Sequence, residues 1–498
     1  MAGTLADLLL QGPADRAAVV VPEGPILTYG RLRQLVSEGA EALASLGVGA
    51  HDRVAMALPD GAEAIVLFLA AAFGATACPL NPAYKEDEFR FYLEDTQARV
   101  LLLPPGQGAE ARRALPRGAM VIEAEIDAGG RLRLESQQPR LGARPVQPSG
   151  PDDVALVLHT SGTTGRPKRV PLRHRHLVAS LGNITTHYRL DEEDVSLCVM
   201  PLFHVHGLVA SALAALAAGG TVIAPRKFSP LQFWPLMRAH QPTWFSASPT
   251  PHRIFLRRHD AGKQSGTQRL RFVRSCSSAL TPSQMTEMES CFGVPVLDAY
   301  GMTEASHQMT SNPLPPGRRQ PGSVGRGTGV EIATMAEDGG LLPPGSTGEV
   351  VIRGPNVIDG YESNPVANAA AFAGGWFRTG DLGVLDQNGY LTLSGRLKEM
   401  INRGGEKIAP AEVDAVLESH PAVAEAVCFG QPDPDWGEVV AAAVVLRAGA
   451  DRKDLLTHCR HHLAEFKVPS QLYIVDSIPR TATGKVQRRF VADAFMRS

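Results

Sequence analysis

The chain of 498 residues has little cysteine, and what it has is scattered. Cys78, Cys198, Cys276, Cys291, Cys428 and Cys459 show neither CxxC nor metal-ligand spacing. A disulfide framework and a structural zinc site are thereby excluded as organising devices, and a reducing compartment is expected. Charge of one sign is also missing. Lys and Arg total 49 against 51 Asp and Glu, a net charge of −2. Neither nucleic acid nor an anionic membrane would find an electrostatic footprint here, so any anionic ligand must be held by local groups. Apolar runs are short of the ~20 residues that span a membrane. Residues 64–80 and 207–218, rich in Ala and Gly, read instead as buried helices packed on a sheet. The opening Met1-Ala2-Gly3-Thr4 lacks a basic signal region, and the closing Met496-Arg497-Ser498 is not the peroxisomal Ser-Lys-Leu. A cytoplasmic location is the expectation. Internal repeats and long low-complexity tracts are absent as well.

What is present is an alternation. Apolar bursts with β-branched residues recur at 17–21, 53–58, 100–103, 154–158, 195–200, 221–224 and 272–275, between Ala-rich helical stretches. This predicts an α/β fold with mostly parallel strands. Residues 134–151, with several Gln, Pro and Arg, read as a linker. Short strand and turn patterns over 322–361 predict a small antiparallel sheet. A boundary falls at Gly395-Arg396-Leu397-Lys398, and the ~100 residues beyond it make a normal small domain. There the spacing predicts a helix over 410–417 and strands over 422–429 and 438–446. The expected organisation is a large N-terminal domain, 1–394, of packed α/β subdomains plus the small antiparallel β unit, then a small α+β domain, 395–498.

The densest signal is His159-Thr160-Ser161-Gly162-Thr163-Thr164-Gly165-Arg166-Pro167-Lys168, which follows the apolar run at 154–158. Glycines let successive N–H groups face one anion, and the hydroxyls and Lys168 add donors. The loop suits a polyphosphate, yet it lacks the spacing of the common P-loop. A plain Ser/Thr/Gly surface turn is the competing reading, and the motifs downstream decide between them. Tyr300-Gly301-Met302-Thr303-Glu304 ends a strand-like run with a ring that stacks on a base and a carboxylate that holds magnesium. Trp376-Phe377-Arg378-Thr379-Gly380-Asp381 sets a carboxylate after a tight turn, suited to gripping two ribose hydroxyls. Arg396 follows at the boundary. Gly404-Gly405 makes a turn that passes a thin ligand near backbone, and Thr483-Gly484-Lys485 puts a lysine on a loop. Singly, Tyr300 reads as core, Asp381 as a turn residue and Lys485 as solvated. Together they would be five coincidences in one order.

These motifs, spread over nearly the whole chain, resemble the adenylate-forming superfamily of acyl-CoA synthetases, luciferases and peptide-synthetase adenylation domains. Arg169 is a departure, standing where that family usually has Gly after the lysine. The resemblance implies ATP, Mg2+ and coenzyme A as cofactors and two half-reactions. A carboxylate attacks the α-phosphate of ATP to give an acyl-adenylate and pyrophosphate, and a thiol then displaces AMP. It implies that Thr160, Ser161, Gly162, Thr163, Thr164, Gly165 and Lys168 hold phosphates, with Tyr300, Gly301, Thr303, Asp381 and Arg396 completing the ATP site. Thr160 and Glu304 would hold the metal. Lys485 would bridge the attacking carboxylate and the α-phosphate. The C-terminal domain would turn about a hinge at Lys398, withdrawing Lys485 and bringing Gly404 and Gly405 to the CoA tunnel. Acetylation of Lys485 would remove the charge that the first half-reaction needs.

The acid pocket is expected from residues 201–207, 274–278 and those after Glu304. His206, Ser277, Ser278 and His307 make it small and polar, where relatives acting on fatty or aromatic acids carry Gly, Ala and apolar groups. Residues 201–207, 305–313 and 401–408 closely resemble the oxalyl-CoA synthetases, which implies oxalate, with its free carboxylate held by those side chains and His204 gating the thiol tunnel. For any one histidine a hydrogen-bonded core role is the plain alternative. Ligation of aromatic or medium-chain acids shares every ATP motif. A luciferase-like oxygenase would need a roomier pocket, an inert adenylate-binding scaffold would not need Lys485, Glu304 and Asp381, and a peptide-synthetase module would need a carrier domain. The expected partners are a small carboxylate, ATP and CoA, with no nucleic acid or membrane, in a monomer or homodimer.

Overall fold

The computed structural model describes all residues except 1–2, 10–11, 137–141, 161–166, 260–265, 481–485 and 497–498. The chain forms two compact units. The first comprises Met1–Ile332 and Ile352–Phe377, the second Ala333–Val351 and Arg378–Ser498. The segment 395–498 expected from sequence lies wholly within the second, joined there by residues that precede it.

Two sheets organise the first unit. A seven-stranded sheet runs in the order Leu132–Glu135, Met120–Ile126, Val100–Leu103, Arg53–Met56, Thr76–Pro79, Val154–Thr160, Lys168–Arg173. Its inner pairs are parallel and its two edge pairs antiparallel. A nine-stranded sheet runs Arg326–Gly327, His307–Ser311, Val296–Met302, Phe272–Ser275, Trp244–Ala247, Val195–Cys198, Thr221–Ile223, Ala17–Val20, Ile26–Thr28. It too is parallel inside and antiparallel at both ends. Parallel strands buried on both faces read as continuous apolar runs, and Trp244–Ala247 and Phe272–Ser275 are buried along their whole length. Every apolar burst named from sequence is a strand.

Residues 64–80 are not one helix. The helix Ala62–Gly74 stops and the strand Thr76–Pro79 follows, since Ala75 turns to an extended conformation. Residues 207–218 are helical as expected, with a wider π-helical stretch at Leu208–Leu213. Such stretches recur at functional sites. Among the described residues no helix is long and apolar enough to cross a membrane.

In the second unit the helix Pro410–Ser419 packs on the long antiparallel pair Val423–Asp433 and Gly437–Leu446. Its core includes Ile401, Ile408, Val413, Leu417, Cys428 and Val440. The helix and both strands match the expected positions.

Candidate active site

The segment expected to hold phosphates joins two strands of a hairpin, Val154–Thr160 and Lys168–Arg173, whose cross-strand partners Thr160 and Lys168 stand at its stem. Ser161, Gly162, Thr163, Thr164 and Gly165 lie outside the described residues. The second strand carries no clear sequence signal, because Arg169 and Arg173 interrupt its apolar pattern. Arg169 has a local reason. It bonds the carbonyl oxygen of Asp95, its Nε lies 3.3 Å from Glu362 Oε2, and its own carbonyl accepts Glu362 N–H at 3.2 Å. Its partner His159 meets Asp95 Oδ2 at 3.0 Å. Glu362 pairs also with Arg53. The stem is thus tied to neighbouring elements from both strands.

Glu304 sits beside this stem. It is buried in a short turn, Thr303–Ala305, that follows the strand Val296–Met302. Thr160 Oγ1 lies 3.4 Å from Glu304 Oε1, and the Tyr361 hydroxyl donates to the same oxygen at 2.8 Å. Lys168 Nζ stands over the Tyr361 ring, 4.4 Å from its centre. Burial pushes the Glu304 carboxyl up, while its hydrogen bonds and the Lys168 charge oppose that shift. A carboxylate and a hydroxyl together, with the carboxylate charge poorly solvated, are the hard oxygen donors a divalent cation prefers. Tyr361 is a site residue the sequence reading missed, since it falls in a turn far from every motif.

The turn continues to His307, expected in the acid pocket. Asn356, fully buried, donates to the carbonyls of Ala305 and Gln308 at 2.8 and 3.1 Å, and the Ser306 hydroxyl donates to its carbonyl. Ser306 and His307 are held at φ 51° and 101°. A left-handed φ in a buried His costs ~1–3 kcal/mol and persists only where its surroundings impose it. Gly301 makes this possible, because a Cβ there would overlap the His307 carbonyl oxygen. Ser277, which is exposed, also has a left-handed φ of 77°.

His206, Ser277 and His307 come together. The His206 and His307 rings lie 5.1 Å apart. His206 Nδ1 meets Ser277 Oγ at 3.0 Å and Nε2 meets Ser246 Oγ at 2.7 Å. Burial, reinforced by the Arg274 charge, holds both imidazoles well below the ordinary histidine pKa, so they are neutral. His206 lies in the helical segment Val205–Gly207, packed against residues 200–201, where a Cβ on Gly207 would overlap the carbonyls of Met200 and Pro201. His204 is the N-cap of that segment, beside the Phe203 ring. Ser278 is exposed, and no hydrogen bond ties it to either imidazole among the described residues. Tyr300 is buried and Thr303 half-buried, on the strand and turn leading to Glu304.

The remaining expected residues belong to the second unit. Asp381 is buried and pairs with its cross-strand partner Arg396 at 3.0 Å. Lys398 lies in the short turn Leu397–Glu399. Gly404 and Gly405, at φ 58° and 97°, form a tight turn whose Gly404 N–H donates to Trp436. A Cβ on Gly404 would press against the Trp436 ring. Lys485 lies outside the described residues.

The AMP-binding enzyme family matches residues 9–362, and the AMP-binding enzyme C-terminal domain matches 412–485. The chain belongs to the AMP-binding enzymes. Among members of known name, it is 48% identical to a probable CoA ligase of Humulus lupulus, over 99% of this chain and 97% of that one. It is 45% identical to an oxalate–CoA ligase of Arabidopsis thaliana, over 100% and 98% of the two chains. The ATP-bound MatB of Rhodopseudomonas palustris shares the AMP-binding fold with a TM-score of 0.89 at 31% identity, covering 100% of this chain and 99% of that one.

Proposed function

We propose that this AMP-binding enzyme is an AMP-forming acid–thiol ligase that converts oxalate, ATP and CoA to oxalyl-CoA, AMP and pyrophosphate. The observation that carries this reading is the pair of buried imidazoles, His206 and His307, with Ser277 bonded to His206 and with His307 three residues along one turn from Glu304. Likeness to an oxalate–CoA ligase over the full chain supports it. A pocket of neutral donors next to a fixed cation suits an acid whose far end stays anionic, whereas an apolar tail would strand those groups without partners. Action in the cytoplasm and a part in oxalate breakdown belong to the same reading.

In the first half-reaction one oxalate carboxylate oxygen bonds to the α-phosphorus and pyrophosphate leaves. Two anions must approach, so neutralising charge is the main requirement. Lys168 and the loop hydroxyls would hold phosphates, and Asp381 the ribose. Thr160 and Glu304 would hold Mg2+, which when bound neutralises phosphate charge. Lys485 would bridge carboxylate and α-phosphate. In the second half-reaction the CoA sulfur bonds to the acyl carbon and AMP leaves, with Gly404 and Gly405 along the pantetheine.

The test is AMP release with ATP, magnesium and CoA, offering oxalate beside malonate, acetate, octanoate and 4-coumarate, with each thioester identified by mass. Strong preference for oxalate is expected. Preference for octanoate or 4-coumarate would leave a CoA ligase and overturn the oxalate assignment.

A further inference from the structure

An arginine stands in the middle of the central strand Phe272–Ser275, at a position with no exposure. Parallel register pairs Arg274 with Ser246 on the neighbouring strand, which puts both side chains on one face of the sheet. All the bonded neighbours of this guanidinium are uncharged. Its Nε donates to the Tyr188 hydroxyl at 2.9 Å, and Nε and Nη2 share Gln308 Oε1 at 3.2 and 3.1 Å. Nη1 donates to Ser246 Oγ at 2.9 Å, and Nη2 to His307 Nδ1 at 3.3 Å. Among the described residues no carboxylate pairs with it. Asp298 feels its charge at longer range, but burial pushes that carboxyl well up, so it is a poor counter-ion. Leaving a buried charge without a partner is among the most costly arrangements in a protein. A substrate anion would remove that cost.

The bonds also have a direction. An arginine only donates. His307 Nδ1 must therefore accept, which puts the His307 proton on Nε2. Ser246 accepts from Arg274 and keeps its own proton to give to His206 Nε2; with that bond made, His206 carries its proton on Nδ1 and gives it to Ser277. The Ser277 hydroxyl is then free to donate onward. Two chains leave one cation and end in two donors, Ser277 O–H and His307 Nε2–H.

Resting on the oxalate reading above, we infer that Arg274 is the specificity-determining positioning residue of the acid pocket. It supplies the fixed positive charge and sets the histidine tautomers, so that Ser277 and His307 both donate to the spectator carboxylate of a small dianion. Monocarboxylic acids have no charge at that end and gain nothing from it. Oxalate preference thus originates one layer behind the side chains that touch the substrate.

The experiment measures AMP release by full-length wild type, Arg274→Gln, Arg274→Lys and Ser246→Ala, with oxalate and with acetate, each at saturating CoA and with ATP varied. Wild type comes first. If it turns over oxalate poorly and malonate well, the oxalate reading fails and malonate becomes the dianion probe for the same variants. Arg274→Gln is expected to raise the oxalate KM by ~30-fold or more, to leave the ATP KM within about twofold and to lower the acetate kcat/KM little. Arg274→Lys restores charge without both arms and should recover part of the loss. Ser246→Ala keeps the arginine and cuts one arm, so a smaller rise in oxalate KM is expected. It also serves if Arg274→Gln does not fold. Equal loss on oxalate and acetate, or an unchanged oxalate KM in folded Arg274→Gln or Ser246→Ala, would overturn the inference.

Discussion

Glu304 is buried, shares an oxygen with Tyr361 and faces Thr160, and no other described carboxylate has that setting. Glu304→Gln keeps the size and the Tyr361 bond but removes the charge. Adenylation is expected to fall ~100-fold or more, and magnesium should no longer enhance ATP binding followed by fluorescence or calorimetry. A second residue-scale expectation concerns acid. His252 is fully buried, donates to the Arg274 carbonyl at 3.3 Å, and burial lowers its pKa to about 4 from 6.5. A base whose folded pKa is depressed stabilises the fold above its unfolded pKa, and that contribution is lost as pH falls towards the folded value. The difference amounts to on the order of 3 kcal/mol, lost as pH drops from above 6.5 to about 4. His252→Gln should flatten the acid side of a melting-temperature profile between pH 7 and 5. An unaltered profile would exclude His252 as its source. The Arg274 cluster explains why the sequence reading stopped short at this scale. Residues 274–278 were legible as pocket wall, and the histidines as polar lining. An arginine within an apolar burst was the available signal, but only register reveals that it faces Ser246 and His307 rather than a carboxylate.

At the scale of elements, the phosphate hairpin and the turn 303–307 are held by side chains outside the motifs. Arg169, His159 and Asp95 join the hairpin stem to the adjacent helix Glu86–Thr96. Arg169→Gly introduces the glycine expected here from the family resemblance yet removes these ties. The ATP KM should rise about threefold or more while the oxalate KM stays near its original value. A rise in oxalate KM alone would separate Arg169 from the phosphate loop. Asn356 plays the corresponding part for the turn. Strands were readable because parallel strands make unbroken apolar bursts. The hairpin partner Lys168–Arg173 and the role of Asn356 were not, since the one is an arginine-bearing edge strand and the other acts wholly through backbone carbonyls.

For the whole molecule, the expected alternation between half-reactions places its demands on a few residues near 398. Arg396 is tied to Asp381, while Glu399 pairs with Arg488 at 3.0 Å, itself bonded to Asp414. Only Leu397 and Lys398 lie between these anchors, which suits a hinge. Lys398→Pro should slow overall turnover more than either half-reaction assayed alone. Lys485→Ala should block pyrophosphate release yet spare thioester formation from supplied oxalyl-adenylate. Equal loss of both half-reactions would count against a lysine that must arrive and then leave.

One consequence of the turn 303–307 reaches beyond catalysis. The carboxylate on the nucleotide side and the imidazole on the acid side are three residues apart on a single strained piece of backbone, braced by Asn356 and by the bare Cα of Gly301. On the proposed function, that turn joins the group that would hold the metal to one that would hold the acid. The acid pocket proposed above is completed from other stretches, by Ser246 and Arg274 within neighbouring parallel strands and by Ser277 just after one of them. A lineage would therefore change its diet most cheaply by rewriting those strands, because a change at His307 also disturbs the backbone that carries Glu304.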